Sequence, residues 1–234
     1  MHGAPGGTRT PGLLVRSQPL YPAELRARAP IIVRYARSLV IIKVQAMPIE
    51  IEIKLPVADL DRALTAIRNL GYELRHPRDH EANAVFDFRG SNLRRRGLLL
   101  RLRRFGQEAL LTFKGTSLKG RHKQREEIET RVADAAAAGA ILERLGLHPA
   151  FRYEKFRTEY HRPGEPGIVT VDETPIGNFI ELEGPGPWID QVAARLGYNE
   201  GDYIKLSYAA LYIEYRKRTG TSNRDMLFEP KMDV

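Results

Sequence analysis

The chain has 234 residues, 42% of them hydrophobic and 28% charged, which is the composition of a globular protein with one large domain or two small ones. It contains no cysteine, so disulfides and thiolate metal sites are excluded. No apolar run approaches the roughly 18 residues that a membrane-spanning helix needs, so we expect no membrane partner. The formal net charge of +8, taken alone, would suggest a polyanionic partner.

The positive charge is concentrated near the N-terminus. Residues 1–46 contain seven Arg or Lys residues and a single acid, Glu24, whereas the other 188 residues contain 30 basic and 28 acidic residues. Most of the chain is therefore nearly neutral, and we expect no nucleic-acid partner. Residues 1–46 are Gly- and Pro-rich, then Arg-rich, as in a transit peptide. The alternative is an upstream start codon, with Met47 as the true start. In either case we predict a disordered or mis-assigned extension.

From Met47 onward, strand and helix patterns follow one another along the chain. Apolar and polar residues alternate, as in half-buried strands, at 51–55, 84–88, 98–104, 108–114, 125–132, 151–161, 168–173 and 177–183. Helical spacing predicts helices at 57–70, with Asp59 as N-cap, and at 133–145, 187–196 and 203–218. Residues 219–234 lack periodicity, and we expect a loose C-terminal tail there. These elements predict an α+β domain over residues 47–218.

On nearly every predicted strand, Arg, Lys, Glu or Asp alternates with apolar residues. Because residues i and i+2 share a face of a strand, each strand has one charged and one apolar face. The amphipathic helices need an apolar sheet face to cover, and about eight strands are enough to close a barrel. We therefore predict an eight-stranded antiparallel closed β-barrel with helices packed outside and charges inside. The alternative is an open sheet whose charged face is solvated.

A lumen that contains both signs of charge predicts a particular ligand chemistry. Arg and Lys bind phosphate oxygens, Arg through paired hydrogen bonds, and clustered carboxylates bind Mg²⁺ or Mn²⁺. A site with both is suited to metal-assisted phosphoryl or nucleotidyl transfer, whereas a nucleic-acid groove would lack the carboxylates. We predict a nucleotide or inorganic triphosphate as the ligand, with Mg²⁺ or Mn²⁺ as the cofactor.

A series of short motifs runs through the predicted strands in order. It opens with Glu50-Ile51-Glu52-Ile53-Lys54, an ExExK pattern that is a weak signal alone. The blocks that follow are Phe86-Asp87, Leu100-Arg101-Leu102-Arg103, Leu111-Thr112-Phe113-Lys114-Gly115, Arg125-Glu126-Glu127-Ile128-Glu129, Glu154-Lys155-Phe156-Arg157, Val171-Asp172, Glu181-Leu182-Glu183 and Lys205-Leu206-Ser207-Tyr208. Over about residues 47–215, this series resembles the CYTH proteins, also called triphosphate tunnel metalloenzymes. One departure is Val85 before Phe86, where many members have a tyrosine in a Tyr-Tyr or Tyr-Phe pair.

The resemblance implies a tunnel that binds a triphosphate together with a divalent metal. Two members of the implied phosphate clamp are expected to be catalytic, namely Lys54 and Lys114. The implied substrate-binding residues are Arg101, Arg103, Arg125, Lys155, Arg157 and Lys205. The implied metal ligands are Glu50, Glu52, Glu127, Glu129, Asp172, Glu181 and Glu183.

The resemblance leaves the reaction open. Class IV adenylate cyclases let the ribose 3′-oxygen of ATP attack the α-phosphorus, giving cyclic AMP and pyrophosphate. Inorganic and thiamine triphosphatases let water attack the terminal phosphorus, giving orthophosphate. The run at 145–151 is closest to the class IV cyclases, so cyclase is the first prediction, triphosphatase the alternative, and a non-catalytic polyphosphate-binding module the second alternative. We expect a cytoplasmic monomer or homodimer.

The loop before strand 125–132 is basic. Its residues Lys119, Arg121 and Lys123 either steer an anionic substrate to the tunnel mouth or form a solvated run of charges. The histidines lack the spacing of a metal motif such as HExxH, and we predict that they are surface or loop residues.

Overall fold

The computed structural model describes residues 31–35, 38–42 and 49–229, and the chain divides into two units, Met1–Ala46 and Met47–Val234. In the first unit, β1 (Ile31–Tyr35) and β2 (Ser38–Ile42) pair antiparallel. The rest of that unit lies outside the described residues. The prediction of a disordered or mis-assigned extension therefore stays a prediction.

The second unit contains a closed barrel of eight antiparallel strands, as predicted. Its strands are β3 (Ile49–Val57), β4 (Glu73–Phe88), β5 (Leu99–Phe105), β6 (Glu108–Lys114), β7 (Lys123–Arg131), β8 (Leu147–His161), β9 (Ile168–Thr174) and β10 (Gly177–Glu183). Their order around the barrel is β10-β3-β7-β6-β5-β4-β8-β9, and β9 pairs with β10 to close it. Strands β3 and β10, which are far apart in sequence, thereby become neighbours.

Helices pack on the outside of the barrel. They are α1 (Leu60–Asn69), α2 (Asn92–Arg95), α3 (Ala135–Arg144), α4 (Gly186–Arg195) and α5 (Tyr208–Thr219). Asp59 caps α1, as predicted, by accepting a hydrogen bond from the backbone N–H of Arg62. Helix α5 begins five residues later than predicted, because Ile204 exchanges two backbone hydrogen bonds with Lys54 of β3. No helix in the described ranges is both long enough and apolar enough to cross a membrane.

Strand β4 begins at Glu73, although only 84–88 was predicted as strand. Its first half is polar and shows no alternation of apolar residues, so the sequence pattern contains no strand signal there. Hydrogen bonding to residues 156–161 of β8 holds this half in the sheet, whereas β5 pairs only with residues 81–86. Pairing partners thus override local propensity, as they commonly do in strands.

The apolar faces of β3, β9 and β10 point outward and form the largest core with α1 and α4. Ile53, Leu55 and Ile180 on the strands are fully buried, as are Ile67 of α1 and Ile189 of α4. These strands are therefore covered on both faces, by helices outside and by charged side chains inside. The prediction that helices cover the apolar face is confirmed.

A segment after α5 pairs with a free edge of strand β8. Strand β9 pairs only with residues 156–160 of β8, which leaves one edge of the first half of β8 free. Met226 occupies this edge: its N–H donates to the Arg152 carbonyl, and its carbonyl accepts from the Glu154 N–H, both at 2.9 Å. The Met226 side chain is fully buried beside Tyr153 and Tyr212. The expectation of a loose tail is wrong for residues 220–229, and residues 230–234 lie outside the described ranges.

We expect Met226→Ala to lower the free energy of unfolding by about 2–5 kcal/mol, because it leaves a cavity where a fully buried side chain stood. Urea denaturation measures this loss. The control is Leu227→Ala, whose side chain is 43% exposed and whose truncation should change stability by about 0.5 kcal/mol or less. Equal effects of the two substitutions would contradict a docked C-terminal segment.

Candidate active site

The lumen of the barrel is a cavity of about 160 Å³ that is lined mainly by charged side chains. All the predicted site residues except Asp172 and Lys205 line it. The residues brought together are Glu50, Glu52, Lys54, Arg101, Arg103, Lys114, Arg125, Glu127, Glu129, Lys155, Arg157, Glu181 and Glu183. Strand alternation therefore predicted which side chains meet inside the barrel.

Carboxylates meet where β3 pairs with β10. Glu183 lies opposite Glu52 in the register, and Glu181 lies opposite Lys54, whose Nζ is 2.6 Å from Glu181 Oε1. Glu183 makes no ion pair with any residue that the structure describes. Its side chain is open to the lumen, yet the surrounding wall limits its hydration and the neighbouring carboxylates repel its charge, so the pKa of Glu183 rises to about 7.

Lys and Arg side chains pair with the two carboxylates of β3, Glu50 and Glu52. Lys114 Nζ lies 2.6 and 2.7 Å from the two oxygens of Glu50, and Arg125 Nε donates to Glu50 at 3.4 Å. Glu52 accepts a hydrogen bond from Lys123. Burial would raise the pKa of Glu52, but the nearby lysines outweigh it and hold that pKa well below its usual value. Burial lowers the pKa of Lys123 to about 8, although Glu52 opposes this shift.

Arginines from β5 form the facing wall. Arg103 Nη2 donates to Glu129 Oε2 at 3.0 Å, and Arg101 Nη1 donates to the hydroxyl of Tyr153 at 3.3 Å. The Nε–H groups of Arg101 and Arg103 are buried and have no hydrogen-bond partner among the described residues. Because buried donors are nearly always satisfied in proteins, these two indicate that an acceptor is missing among the described residues.

Comparison with known proteins agrees with this geometry. Residues 48–207, more than half of the chain, match the CYTH domain. The chain belongs to the CYTH domain family. A Methanocaldococcus jannaschii protein named "putative adenylate cyclase" is 27% identical to this CYTH domain protein over 136 residues, which are 58% of this chain and 76% of the relative.

Solved structures share the tunnel fold of this CYTH domain. A protein of Pyrococcus horikoshii OT3 superposes with a TM-score of 0.62 at 24% identity, covering 71% of this chain and 99% of that one. A Vibrio parahaemolyticus protein, described as a "putative adenylate cyclase", has a TM-score of 0.60 at 20% identity and covers 68% and 94%. A Hippeastrum protein, described as a "putative adenylyl cyclase" with a dominant triphosphatase activity, has a TM-score of 0.52 at 17% identity and covers 73% and 95%. At these identities the likeness establishes the fold.

Asp172, predicted as a metal ligand, lies behind the lumen wall of the CYTH domain and is fully buried. Its Oδ1 accepts from Arg157 Nε at 2.7 Å, and its Oδ2 accepts from Lys155 Nζ at 2.8 Å and from the Tyr208 hydroxyl at 2.6 Å. Both oxygens are therefore already engaged. The structure thus places Asp172 in contact with two lumen cations and off the lumen surface, whereas the resemblance implied a metal ligand.

Two charged residues that contact lumen side chains were not predicted as site residues. Lys123 was assigned to a steering loop, but it begins β7 and contacts Glu52 inside the tunnel. Alternation along β7 places Lys123 on the same face as Arg125. Glu81 of β4 is fully buried, 3.4 Å from Lys155 Nζ and 3.8 Å from Arg103 Nη1. No sequence signal marked Glu81, because the strand around it was not predicted.

Lys205, predicted to bind substrate, is not brought to the lumen. It is exposed, and its Nζ donates to the Gly120 carbonyl at 3.0 Å. Arg121, predicted as a steering or solvated charge, pairs with Asp190 at 3.3 Å and Glu200 at 3.1 Å. Its charge is thus largely compensated. The contact from Lys205 ties the loop before β7 to the segment that leads into α5.

The lumen carboxylates suit a divalent metal ion by their chemistry. Mg²⁺ and Mn²⁺ prefer oxygen ligands, and Glu183 is a carboxylate without a cationic partner among the described residues. Burial, together with the nearby Glu50, also raises the pKa of Glu127, although Lys114 opposes it. As the side chains stand, no three acidic or imidazole groups within residues 49–229 converge on one point. Metal binding therefore requires carboxylates to exchange their present Lys and Arg partners.

The buried carboxylates predict a loss of stability in acid. Burial would raise the pKa of Glu52, Glu81, Asp172 and Glu181, but neighbouring Lys and Arg outweigh it and hold each pKa below its usual value. Such a group binds fewer protons in the folded than in the unfolded state, so its stabilisation is full above the unfolded-state pKa and is lost as the pH falls. We expect the melting temperature to rise slightly from pH 7 to about pH 5, because folded Glu183, whose pKa is raised, takes up a proton there, and to fall steeply below about pH 4.5. Calorimetry from pH 7 to pH 3 measures this, and a constant melting temperature would contradict it.

Proposed function

We propose that this CYTH domain protein is a metal-dependent enzyme that cleaves a phosphoanhydride bond of a triphosphate held in the tunnel. The observation that carries the proposal is the lumen, where a carboxylate-rich wall on β3 and β10 faces a wall of Arg and Lys on β5, β6 and β8. A structural core does not need this arrangement, because desolvating so many charges is unfavourable without a ligand.

The cation wall would bind the phosphates. Arg101 and Arg103 offer planar donor forks suited to phosphate oxygens, and their unsatisfied Nε–H groups would find acceptors there. Lys114 would turn from Glu50 toward a phosphate oxygen. Each such exchange replaces one anionic partner of a cation by another, so the cation remains neutralised throughout.

The same exchange would free carboxylates for a metal ion. Glu50, Glu52, Glu181 and Glu183 would hold Mg²⁺ or Mn²⁺ from β3 and β10. When bound, the metal would neutralise charge on the phosphates and orient the attacking oxygen. Lys54, which is buried and 2.6 Å from Glu181, would remain between the metal ligands and the phosphates as a fixed positive charge.

The lumen lining favours water as the nucleophile. Its apolar lining residues are Val85, Leu99 and Ala209, and the rings of Tyr153 and Tyr208 are already packed in an aromatic cluster. A purine base packs against apolar or aromatic surface, and the lining of this cavity contains little of either. Inorganic triphosphate, which has no base, fits the lining better. The Hippeastrum structure, described with a dominant triphosphatase activity, supports the same choice.

Adenylate cyclase is the second candidate. The name of the Methanocaldococcus jannaschii relative supports it, as does the run at 145–151, which enters β8. In this case the adenine would lie at the tunnel mouth, and only the triphosphate would enter the lumen.

Turnover assays test the proposal. The protein is incubated with tripolyphosphate, thiamine triphosphate or ATP, each with Mg²⁺ or Mn²⁺ and with EDTA as the control. Metal-dependent orthophosphate from tripolyphosphate supports the triphosphatase, and cyclic AMP with pyrophosphate from ATP supports the cyclase. Tight triphosphate binding without turnover of any substrate would overturn the enzyme and leave the polyphosphate-binding module.

A further inference from the structure

Glu81 stands between two groups of lumen cations. Strand β4 lies between β5 and β8 in the barrel, and Glu81 pairs in register with Phe105 of β5 and Lys155 of β8. Its carboxylate is 3.8 Å from Arg103 on the β5 side, and 3.4 Å from Lys155 and 3.8 Å from Arg157 on the β8 side. Among the ion pairs of the described residues, Glu81 is the carboxylate that reaches cations of both strands.

The three cations near Glu81 already have other carboxylate partners, so Glu81 is not needed to neutralise them. Lys155 and Arg157 already share Asp172 at 2.7–2.8 Å, and Arg103 already pairs with Glu129 at 3.0 Å. Glu81 is fully buried, one of its oxygens accepts from Asn83 at 3.0 Å, and the other has no hydrogen-bond partner among the described residues. The oxygen without a hydrogen bond lies 3.8 Å from both Arg103 and Arg157, so Glu81 acts on these two cations through its charge and not through direct hydrogen bonds.

The position of Glu81 relative to the lumen indicates another role. Arg103, Lys155 and Arg157 line the cavity, whereas Glu81 does not. A triphosphate entering the lumen would take over the lumen side of these cations and compete with Glu129 and Glu181 for them. Glu81 lies on the far side and would not be displaced. It would therefore continue to hold the cations of β5 and β8 at a constant spacing while the ligand is bound.

We propose that Glu81 is a positioning residue, which sets the spacing of Arg103, Lys155 and Arg157 for the reacting triphosphate and weakens the binding of that triphosphate in return. The inference rests on the proposed function. A negative charge beside Arg103, Lys155 and Arg157 reduces the attraction between these three cations and any polyanion. The same charge restrains three long side chains whose misplacement by even about 1 Å can reduce turnover up to a hundredfold.

The test is Glu81→Gln, which keeps the size of the side chain and removes its charge. We expect the Kd for tripolyphosphate, measured by calorimetry without metal, to fall by about three- to tenfold. We expect kcat with metal to fall by about tenfold or more. Tighter binding combined with slower turnover would not follow from a general loss of structure, which would weaken both.

Two further variants separate positioning from folding. Glu81→Asp keeps the charge but withdraws it from the cations, so we expect a Kd within about twofold of the wild type and a reduced kcat. Glu73→Gln, at an exposed site on the same strand, should change neither quantity. If Glu81→Gln does not fold, the kcat of Glu81→Asp is the test: a reduced kcat supports the positioning role, and an unchanged kcat contradicts it.

The possible failures are distinguishable. Wild-type protein that binds no tripolyphosphate would overturn the proposed function and this inference with it. Wild-type binding with unchanged Kd and kcat in Glu81→Gln, or full kcat in Glu81→Asp, would overturn the role of Glu81 alone. Wild-type protein that binds tripolyphosphate without turnover would overturn the enzyme proposal. A lower Kd in Glu81→Gln would then still support the effect of Glu81 on triphosphate binding, and an unchanged Kd would overturn it.

Discussion

Replacing Glu52 with glutamine is expected to reduce metal-dependent triphosphate turnover by about 10²–10³-fold, or about 3–4 kcal/mol of transition-state stabilisation. Glu52 lies opposite Glu183 on the carboxylate wall and is buried beside Lys54 and Lys123. Glutamine preserves the shape of the side chain but removes the charge that would bind the metal. Initial rates over a range of Mg²⁺ or Mn²⁺ concentrations measure the effect, which higher metal concentration should partly reverse.

Glu108→Gln is the matched control for this substitution. Glu108 is also on a barrel strand, but it is solvent-exposed and pairs with the exposed Arg131. Its turnover should equal that of the wild type, because surface ion pairs of this kind contribute little. Turnover of Glu52→Gln within about threefold of the control would remove Glu52 from the proposed metal ligands.

Replacing Asp172 with asparagine is expected to lower the free energy of unfolding by about 3–5 kcal/mol. The change leaves Lys155 and Arg157 buried without the charge that each contacts at 2.7–2.8 Å. Removing one member of a buried ion network is far more destabilising than removing the whole network, because the remaining charges are uncompensated. Urea denaturation measures the loss, and an unchanged m-value verifies that the same surface unfolds.

The neighbouring Glu173 provides the control for Asp172. It points to the other face of β9, where it pairs with Arg78, whose side chain is 50% exposed. We expect Glu173→Gln to cost about 1 kcal/mol or less. Similar losses for the two substitutions would show that water reaches Asp172 and that the lumen network is weaker than its burial indicates.

The sequence predicted the lumen well because the signal is local. Glu50, Glu52 and Lys54 alternate with Ile51 and Ile53, and a period of two assigns one set to the inside without knowledge of any other strand. The ends of β6 and β10 also match their predicted ranges, and a two-residue turn precedes each strand. Closure of the barrel followed from the number of strands and from the helices that needed an apolar face.

The sequence did not reveal Glu81 or the docked C-terminal segment. The first half of β4 is a strand only because residues 156–161 of β8 hydrogen-bond to it, and residues 225–228 dock against the first half of β8, which has a free edge. Neither partner is near in the chain. Lys205 was carried over from a motif, and its contact with Gly120 depends on where two loops meet.

The charged face of each strand, and hence the chemical character of the lumen, could be read from the order of the residues, because side-chain direction alternates within a single strand. The ion pairs could not be read in this way. Whether Glu183 faces Glu52, or Asp172 lies behind the wall and not on it, depends on register and tilt between strands that are distant in sequence. Those pairings determine which carboxylates line the lumen and which lie behind it in contact with lumen cations.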